Sequence, residues 1–395
     1  MAKKFIDFLR MAKPLSNKHK IAVDFLSRYL EKDDINNIKS LLKQKKVSVL
    51  DSKMDISPQL MDSEMFYTLH ADSVDRNVKE YVEKQNKFVL GKIREKMFLK
   101  FSKKATERIP KYIAMNIRGL DMVKKAVALQ LFATEPIHIL LLGDPGTGKT
   151  DIIRSAAELH PVSSFGLGSG TSGVGLTVTV KGNEVSKGLL PNADKGICAI
   201  DELNLMEEKD RASLYNAMEK GFVTYDKGGQ HYKFDAHIRL IATANPKGDN
   251  FAGWTVETLK KQLPFDPALL SRFHLVFLIR KPDLKRFVEI SKKIIKADKK
   301  HTLSWDEEFI QGYVKYAEAF DVSIPSKFEQ QIVDFVAEIK QNERRFLVEV
   351  SPRLVIGFIR LAKASARMRL SSEVKQEDID TVRKIVSEGL KLETK

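Results

Sequence analysis

Gly143, Gly148, Lys149 and Thr150 fit the spacing G-x-x-x-x-G-K-[ST] of a loop that holds phosphate. Gly143, Gly146 and Gly148 allow a tight turn with backbone N–H groups facing inward, and Asp144, Pro145 and Thr147 complete the loop. Lys149 supplies a point charge for the outer phosphates, and Thr150 offers a hydroxyl to Mg²⁺ at a helix start whose dipole favours anions. Asp201 and Glu202 close the apolar run Ile197-Cys198-Ala199-Ile200. Strand alternation turns these carboxylates opposite ways, so that one can orient Mg²⁺ while the other takes a proton from water. Asn245 ends the run Leu240–Ala244 ahead of Pro246, where an amide can position the attacking water. Arg272, between a helical stretch and an apolar one, suits a cation reaching the γ-phosphate of a neighbouring subunit. The chemistry this set can do is hydrolysis of a nucleotide with Mg²⁺.

The elements that must position these groups are apolar runs separated by helical stretches. Ile137–Leu142 feeds the glycine loop, and similar runs follow at Gly196–Ile200, Ile238–Ala242 and Leu275–Ile279. Helical spacing in Leu120–Gln130 and Glu207–Lys220 separates them, which implies an α/β fold with a parallel sheet covered on both faces. The polar groups fall at the carboxyl ends of the strands, where nucleotides bind in such sheets. Residues 1–104 read as a helical domain, from Phe5, Phe8 and Leu9 and again from Ile21 to Leu30, with Met1–Arg10 as a short amphipathic helix and Lys43–Asp51 as an extended piece. Residues 281–304 read as a charged linker. From residue 305 the chain is helical to its end, with Pro325 and Pro352 near helix starts.

A length of 395 residues exceeds one small core and implies two or three domains. No uncharged apolar run approaches the roughly 20 residues that span a bilayer. The single cysteine, Cys198, excludes an internal disulfide framework and a multi-cysteine zinc site, and makes the cytoplasm the default location. The net charge of +15, from 67 Lys and Arg against 52 Asp and Glu, suits a polyanionic partner such as nucleic acid, and a solvated lysine-rich surface equally well. The eight histidines form no metal-binding spacing, and His138, inside an apolar run, reads as a core residue.

The order of glycine loop, acidic pair, Asn245 and Arg272 resembles the AAA+ ATPases. More narrowly, Ser169–Thr177 is similar to the helix-2 insert of the MCM replicative helicases, as are Asp210–Lys220, a hairpin over Phe222–Phe234 ahead of the first sensor, and Leu269-Leu270-Ser271-Arg272-Phe273. Val350–Val355 and Ile359–Ala366 look like the family's second sensor helix. The resemblance runs from about residue 105 to 390. It implies an AAA+ αβα core over 105–280 and a helical lid over 305–395. Residue by residue, it implies that Ile117 and loop residues 143–150 bind ATP, Thr150 and Asp201 hold Mg²⁺, Glu202 is the base and Asn245 senses the γ-phosphate. Arg272 and Arg353 would act in trans, and Lys227, before Gly228-Gly229, would contact DNA regardless of sequence, phosphate contacts carrying no base information. The implied assembly is a homo-oligomeric ring, a hexamer.

Two departures stand out. Leu203-Asn204-Leu205-Met206 follows the acidic pair in place of the family's Phe-Asp-Lys-Met, and His274 replaces an Asp after Ser271-Arg272-Phe273. Residues 1–104 hold neither the oligonucleotide-binding module nor the zinc module. Three readings follow: an ATP-driven DNA helicase, a degenerate homologue that binds DNA or partners without unwinding, and a protein remodeller like the MoxR and chelatase relatives.

Overall fold

The computed structural model describes residues 15–54, 64–181, 184–227, 230–248, 250–253, 255–281, 288 and 304–390. The contacts divide the chain into two units, residues 1–103 and 104–395.

In the first unit, helices α1 (Asn17–Leu26) and α2 (Lys32–Lys43) bury Ala22, Leu26, Ile38 and Leu42. Strands β1 (Val47–Met54) and β2 (Glu64–Ala71) pair antiparallel, from Val47 opposite Ala71 to Met54 opposite Glu64. The long helix α3 (Arg76–Ser102) lies along β2, where Asn86 exchanges two hydrogen bonds with the Leu69 backbone, at 2.7 and 2.9 Å. The helical reading of this region holds for its three helices, and the extended piece expected over Lys43–Asp51 overlaps the first strand of a hairpin of two 8-residue strands, whose second strand was not expected. The expected helix over Met1–Arg10 lies outside the described residues, and so does nearly all of the expected linker over 281–304.

The second unit begins with α4 (Ala105–Tyr112) and α5 (Asp121–Leu131) and is built on a five-stranded sheet. Its strands are β3 (Ile139–Gly143), β4 (Ser163–Leu167), β7 (Ile197–Asp201), β10 (Arg239–Ala244) and β11 (Leu275–Ile279). Their order across the sheet is β11-β3-β10-β7-β4, and every pairing is parallel. The central strands are covered on both faces, so β3, β7 and β10 are buried throughout and mostly apolar, with Asp201 ending β7 and Arg239 and Thr243 the polar members of β10. Helix α6 (Lys149–Leu159) follows the glycine loop, and α7 (Arg211–Lys220) precedes a hairpin of β8 (Phe222–Lys227) and β9 (Gln230–Asp235). Between β4 and β7 lies a second hairpin, β5 (Val178–Lys181) with β6 (Glu184–Lys187), flanked by the short helices Gly173–Leu176 and Leu189–Asn192.

The C-terminal helices are α8 (Ser304–Ala317), α9 (Glu329–Gln341), α10 (Arg353–Met368) and α11 (Gln376–Leu390). Helix α11 packs on β11 and α5, and α10 packs on α5. Arginines fix the join at the segment after α5. Arg367 donates to the Phe132 carbonyl at 3.0 Å, Arg360 to the Pro136 carbonyl at 2.6 Å, and buried Arg239 to the carbonyls of Leu131 and Ala133. Among the described residues no helix is long and apolar enough to cross a membrane.

Candidate nucleotide site

The parallel register sets the carboxyl ends of β3, β10 and β7 side by side, with Ala244 beside Leu142 and Ala242 beside Ile200. Gly143, Asn245 and Asp201 thus lie at neighbouring strand ends. Gly146 and Gly148 have φ of 77° and 82°, the left-handed region that favours glycine and turns the loop toward the start of α6. Gly143 is absent from that group and needs glycine for another reason. A Cβ there would lie 2.0 Å from the Ile279 carbonyl oxygen, so its absence lets β11 approach.

Lys149 is only 6% exposed, and its Nζ donates to the carbonyls of Gly143 at 2.8 Å and Asp144 at 2.7 Å. Burial lowers its pKa to about 8, although Asp144, Asp201 and Glu202 pull the other way. Its ammonium group is thus folded onto its own loop, with carboxylates as its nearest charges. Thr150 sits in the first turn of α6, half-buried. Asp144 also has a structural task. Its carboxylate accepts from the backbone N–H groups of Phe251 at 2.8 Å and Lys281 at 3.0 Å, while its own N–H donates to Ile279. It ties the loop to the end of β11. Thr147 Oγ1 donates to the Asp144 carbonyl at 2.8 Å, which tightens the same turn.

Ile117 packs on Gly148, where an added Cβ would lie 2.7 Å from its Cδ1. The segment carrying it is pinned by Lys124, whose buried Nζ donates to the carbonyls of Ala114 at 2.8 Å and Ile117 at 2.7 Å. Ser155 on α6 holds it from the other side by accepting from the Ala114 N–H at 3.1 Å. Burial, aided by Arg118, lowers the Lys124 pKa to about 8.

Asp201 is buried and accepts from Thr243 Oγ1 at 2.5 Å. The same hydroxyl accepts from the Glu202 N–H at 2.8 Å, so one side chain of β10 fixes both members of the pair. Glu202 lies beyond the end of β7 with φ of 51°. Strand alternation therefore does not set its direction; a left-handed turn does, a strained conformation of the kind that gathers at reactive sites. Asn245 is held through its backbone N–H, which donates to Asn204 Oδ1 at 3.0 Å. Asn204 belongs to the departing string after the acidic pair, and this bond gives it a use.

The two arginines are elsewhere. Leu275 pairs with Ile139 and Ile279 with Gly143, so Arg272, just ahead of Leu275, lies at the amino end of the sheet. The five residues of β3 separate that end from the glycine loop by about 13 Å, at roughly 3.3 Å per residue. Arg353 joins Arg272 there: its Nη1 donates to the Ser271 carbonyl at 2.9 Å. Both guanidinium groups meet Glu219 Oε1, Arg353 at 2.7 Å and Arg272 at 3.3 Å. Arg272 also lies over the Tyr215 ring, 4.7 Å from its centre, and donates to the Ala268 carbonyl at 2.6 Å. Lys227 ends β8 opposite Gln230, beside the hairpin turn.

The family profile described as the MCM P-loop domain matches residues 93–298, and the MCM AAA-lid domain matches residues 308–390. The chain belongs to the MCM family. Its sheet and helical lid are the AAA+ α/β architecture expected of it. The archaeal minichromosome maintenance protein MCM of Saccharolobus solfataricus is 28% identical over 376 residues, covering 89% of this chain and 54% of that protein. DNA replication licensing factor MCM7 of Arabidopsis thaliana is 29% identical over 301 residues, 69% of this chain and 42% of its own. MCM4 of the same plant is 31% identical over 304 residues, 69% of this chain and 36% of its own. The chain thus spans about half, or less, of the length of these relatives.

Within the MCM frame, the histidine that stands in place of an Asp has a structural use. His274 Nδ1 accepts from the His138 N–H at 3.0 Å, and its ring faces Gly357 of the lid. Thr243, Lys124, Ser155 and Glu219 were missed by sequence reasoning. Lys124 alone left a signal, as a cation inside an otherwise buried helical face.

Proposed function

We propose that this chain is an MCM-type AAA+ ATPase that hydrolyses ATP at subunit interfaces and couples the reaction to sequence-independent DNA binding and unwinding in replication. One observation carries the reading: the phosphate loop and acidic pair occupy the carboxyl end of the sheet, while Arg272 and Arg353 occupy the amino end. A chain so built offers a pocket on one side and two cations on the other, which favours completion by a second copy, in a ring that we take to be a hexamer.

On this reading Lys149 and the N–H groups of residues 146–150 hold the polyphosphate, and Ile117 bounds the pocket. Mg²⁺ would be held by Thr150 and Asp201, hard oxygen donors at adjoining ends, and would neutralise developing charge. Glu202 takes the proton of the attacking water, and the Asn245 amide orients it. Arg272 and Arg353 of a neighbour meet the γ-phosphate, and Lys227 meets DNA phosphates.

The test is subunit mixing. Arg272→Ala and Lys149→Ala should each be inactive, and a mixture should recover hydrolysis, because some interfaces then pair an intact loop with an intact arginine. Absence of recovery in a mixture proven to co-assemble would remove the inter-subunit site. Hydrolysis that DNA leaves unchanged, with no DNA binding, would move the reading to the protein remodeller.

A further inference from the structure

Two side chains proposed to act on a neighbour's phosphate come from distant parts of the chain, Arg272 from the turn before β11 and Arg353 from the first residue of the lid helix α10. They nevertheless converge on one oxygen. Glu219 Oε1 lies 2.7 Å from Arg353 Nη2 and 3.3 Å from Arg272 Nη2, which keeps the two nitrogens within about 6 Å of each other. Two guanidinium groups at that spacing repel unless an anion lies between them. Glu219 is that anion, and its carboxyl is held below the usual range chiefly by the hydrogen bond from Arg353.

The carboxylate is itself well placed. It lies in the last turn of α7, where the helix dipole adds negative potential for cations. Tyr215, one turn earlier on the same face, supplies the ring under Arg272. Arg272 is also not saturated: among the described residues its buried Nε has no hydrogen-bond partner. A buried donor without an acceptor is costly unless a ligand supplies one.

We propose that Glu219 is a positioning residue that gathers the core arginine and the lid arginine into a single receptor for a tetrahedral phosphoryl group presented by a neighbouring copy. This rests on the inter-subunit reading above. Glu219 touches neither nucleotide nor water in this scheme; it acts through the two arginines by fixing their separation and tethering Arg353 to the core. Without it the lid arginine loses its anchor to α7, and the pair no longer presents a fixed geometry.

The experiment compares Glu219→Ala and the near-isosteric Glu219→Gln, each confirmed by mass to assemble like the parent. Glu219→Ala should lower kcat on the order of tenfold to a hundredfold, the range expected when a positioned group is displaced. Binding of a fluorescent ATP analogue should stay at the parental value, because the phosphate loop is untouched. Glu219→Gln, which keeps an acceptor oxygen but loses the charge, should fall between. Mixing supplies a readout that mere structural damage would not give. Glu219→Ala with Lys149→Ala should recover hydrolysis, whereas Glu219→Ala with Arg272→Ala should not, since both lesions lie on the same side of the interface. Parental or faster turnover by Glu219→Ala, or recovery of the Glu219→Ala and Arg272→Ala mixture, overturns the proposal. Failure of the Arg272→Ala and Lys149→Ala mixture would instead overturn the inter-subunit reading and this proposal with it.

Discussion

The residues that carry the proposed chemistry sit in short local strings, which is why Lys149, Asp201, Glu202, Asn245 and Arg272 could be picked out of the sequence. What holds them could not. Thr243 reaches the acidic pair from another strand, and Glu219 reaches Arg353 across more than a hundred positions of chain. Neither partnership leaves a spacing to read. Lys149 also yields a prediction about pH. In the free protein its proton is lost near pH 8, against an ordinary 10.5, because burial penalises the charge. Bound phosphates favour the protonated form, so above pH 8 binding must take up a proton. Nucleotide affinity should be flat below pH 8 and fall by about tenfold per unit above it. The fall should be steeper if Lys124, with its pKa also near 8, releases the Ile117 segment. Titrations of ADP and ATP at pH 7 and pH 9 test this, and equal affinities would refute the role of Lys149.

Elements were legible where burial is complete. The strands β3, β7 and β10 carry long apolar runs, Ile139–Leu142, Ile197–Ile200 and Leu240–Ala242, because both faces of the sheet are covered, and β11 is apolar along its length. Edge strand β4, Ser163–Leu167, is only partly buried, and its serines and glycine hid it in a stretch rich in those residues. The hairpin β5–β6 was hidden for the same reason. Hairpin β8–β9 was legible from the resemblance to the MCM helicases, which implied it over Phe222–Phe234. Its register sets Lys227 opposite Gln230, the last pair before the turn, and the proposed function gives that residue a phosphate backbone to meet. Lys227→Ala should therefore weaken DNA binding several-fold and make its log–log salt slope shallower by about 0.9 for each phosphate that the lysine would have neutralised. Basal hydrolysis should be retained, since the phosphate loop lies on another strand. Affinity indistinguishable from the parent at two salt concentrations would count against any DNA contact by this residue.

At the scale of the molecule, the core of the second unit holds buried neutral histidines among its hydrogen bonds. Burial lowers the pKa of His138 to about 4 and that of His160 to about 3, from an ordinary 6.5. His138 Nδ1 accepts from the Leu240 N–H, and His160 Nε2 meets Arg239, so neither site tolerates a proton easily. Below pH 6.5 the unfolded chain takes up protons that the folded chain refuses. Stability contributed by these groups is complete above 6.5 and lost as pH falls toward the folded values, about 2 kcal/mol for each at pH 5. Denaturant midpoints at pH 7 and pH 5 should differ accordingly, and an unchanged midpoint would mean that the rings are not neutral. The opposed placement of pocket and arginines has a different kind of consequence, one of arithmetic. If each complete site needs one face from each of two copies, a lone chain owns none, an open row owns one fewer than its members, and only closure gives every member a site. Turnover per chain would then depend on how many neighbours a molecule has, and dilution alone would switch the protein off.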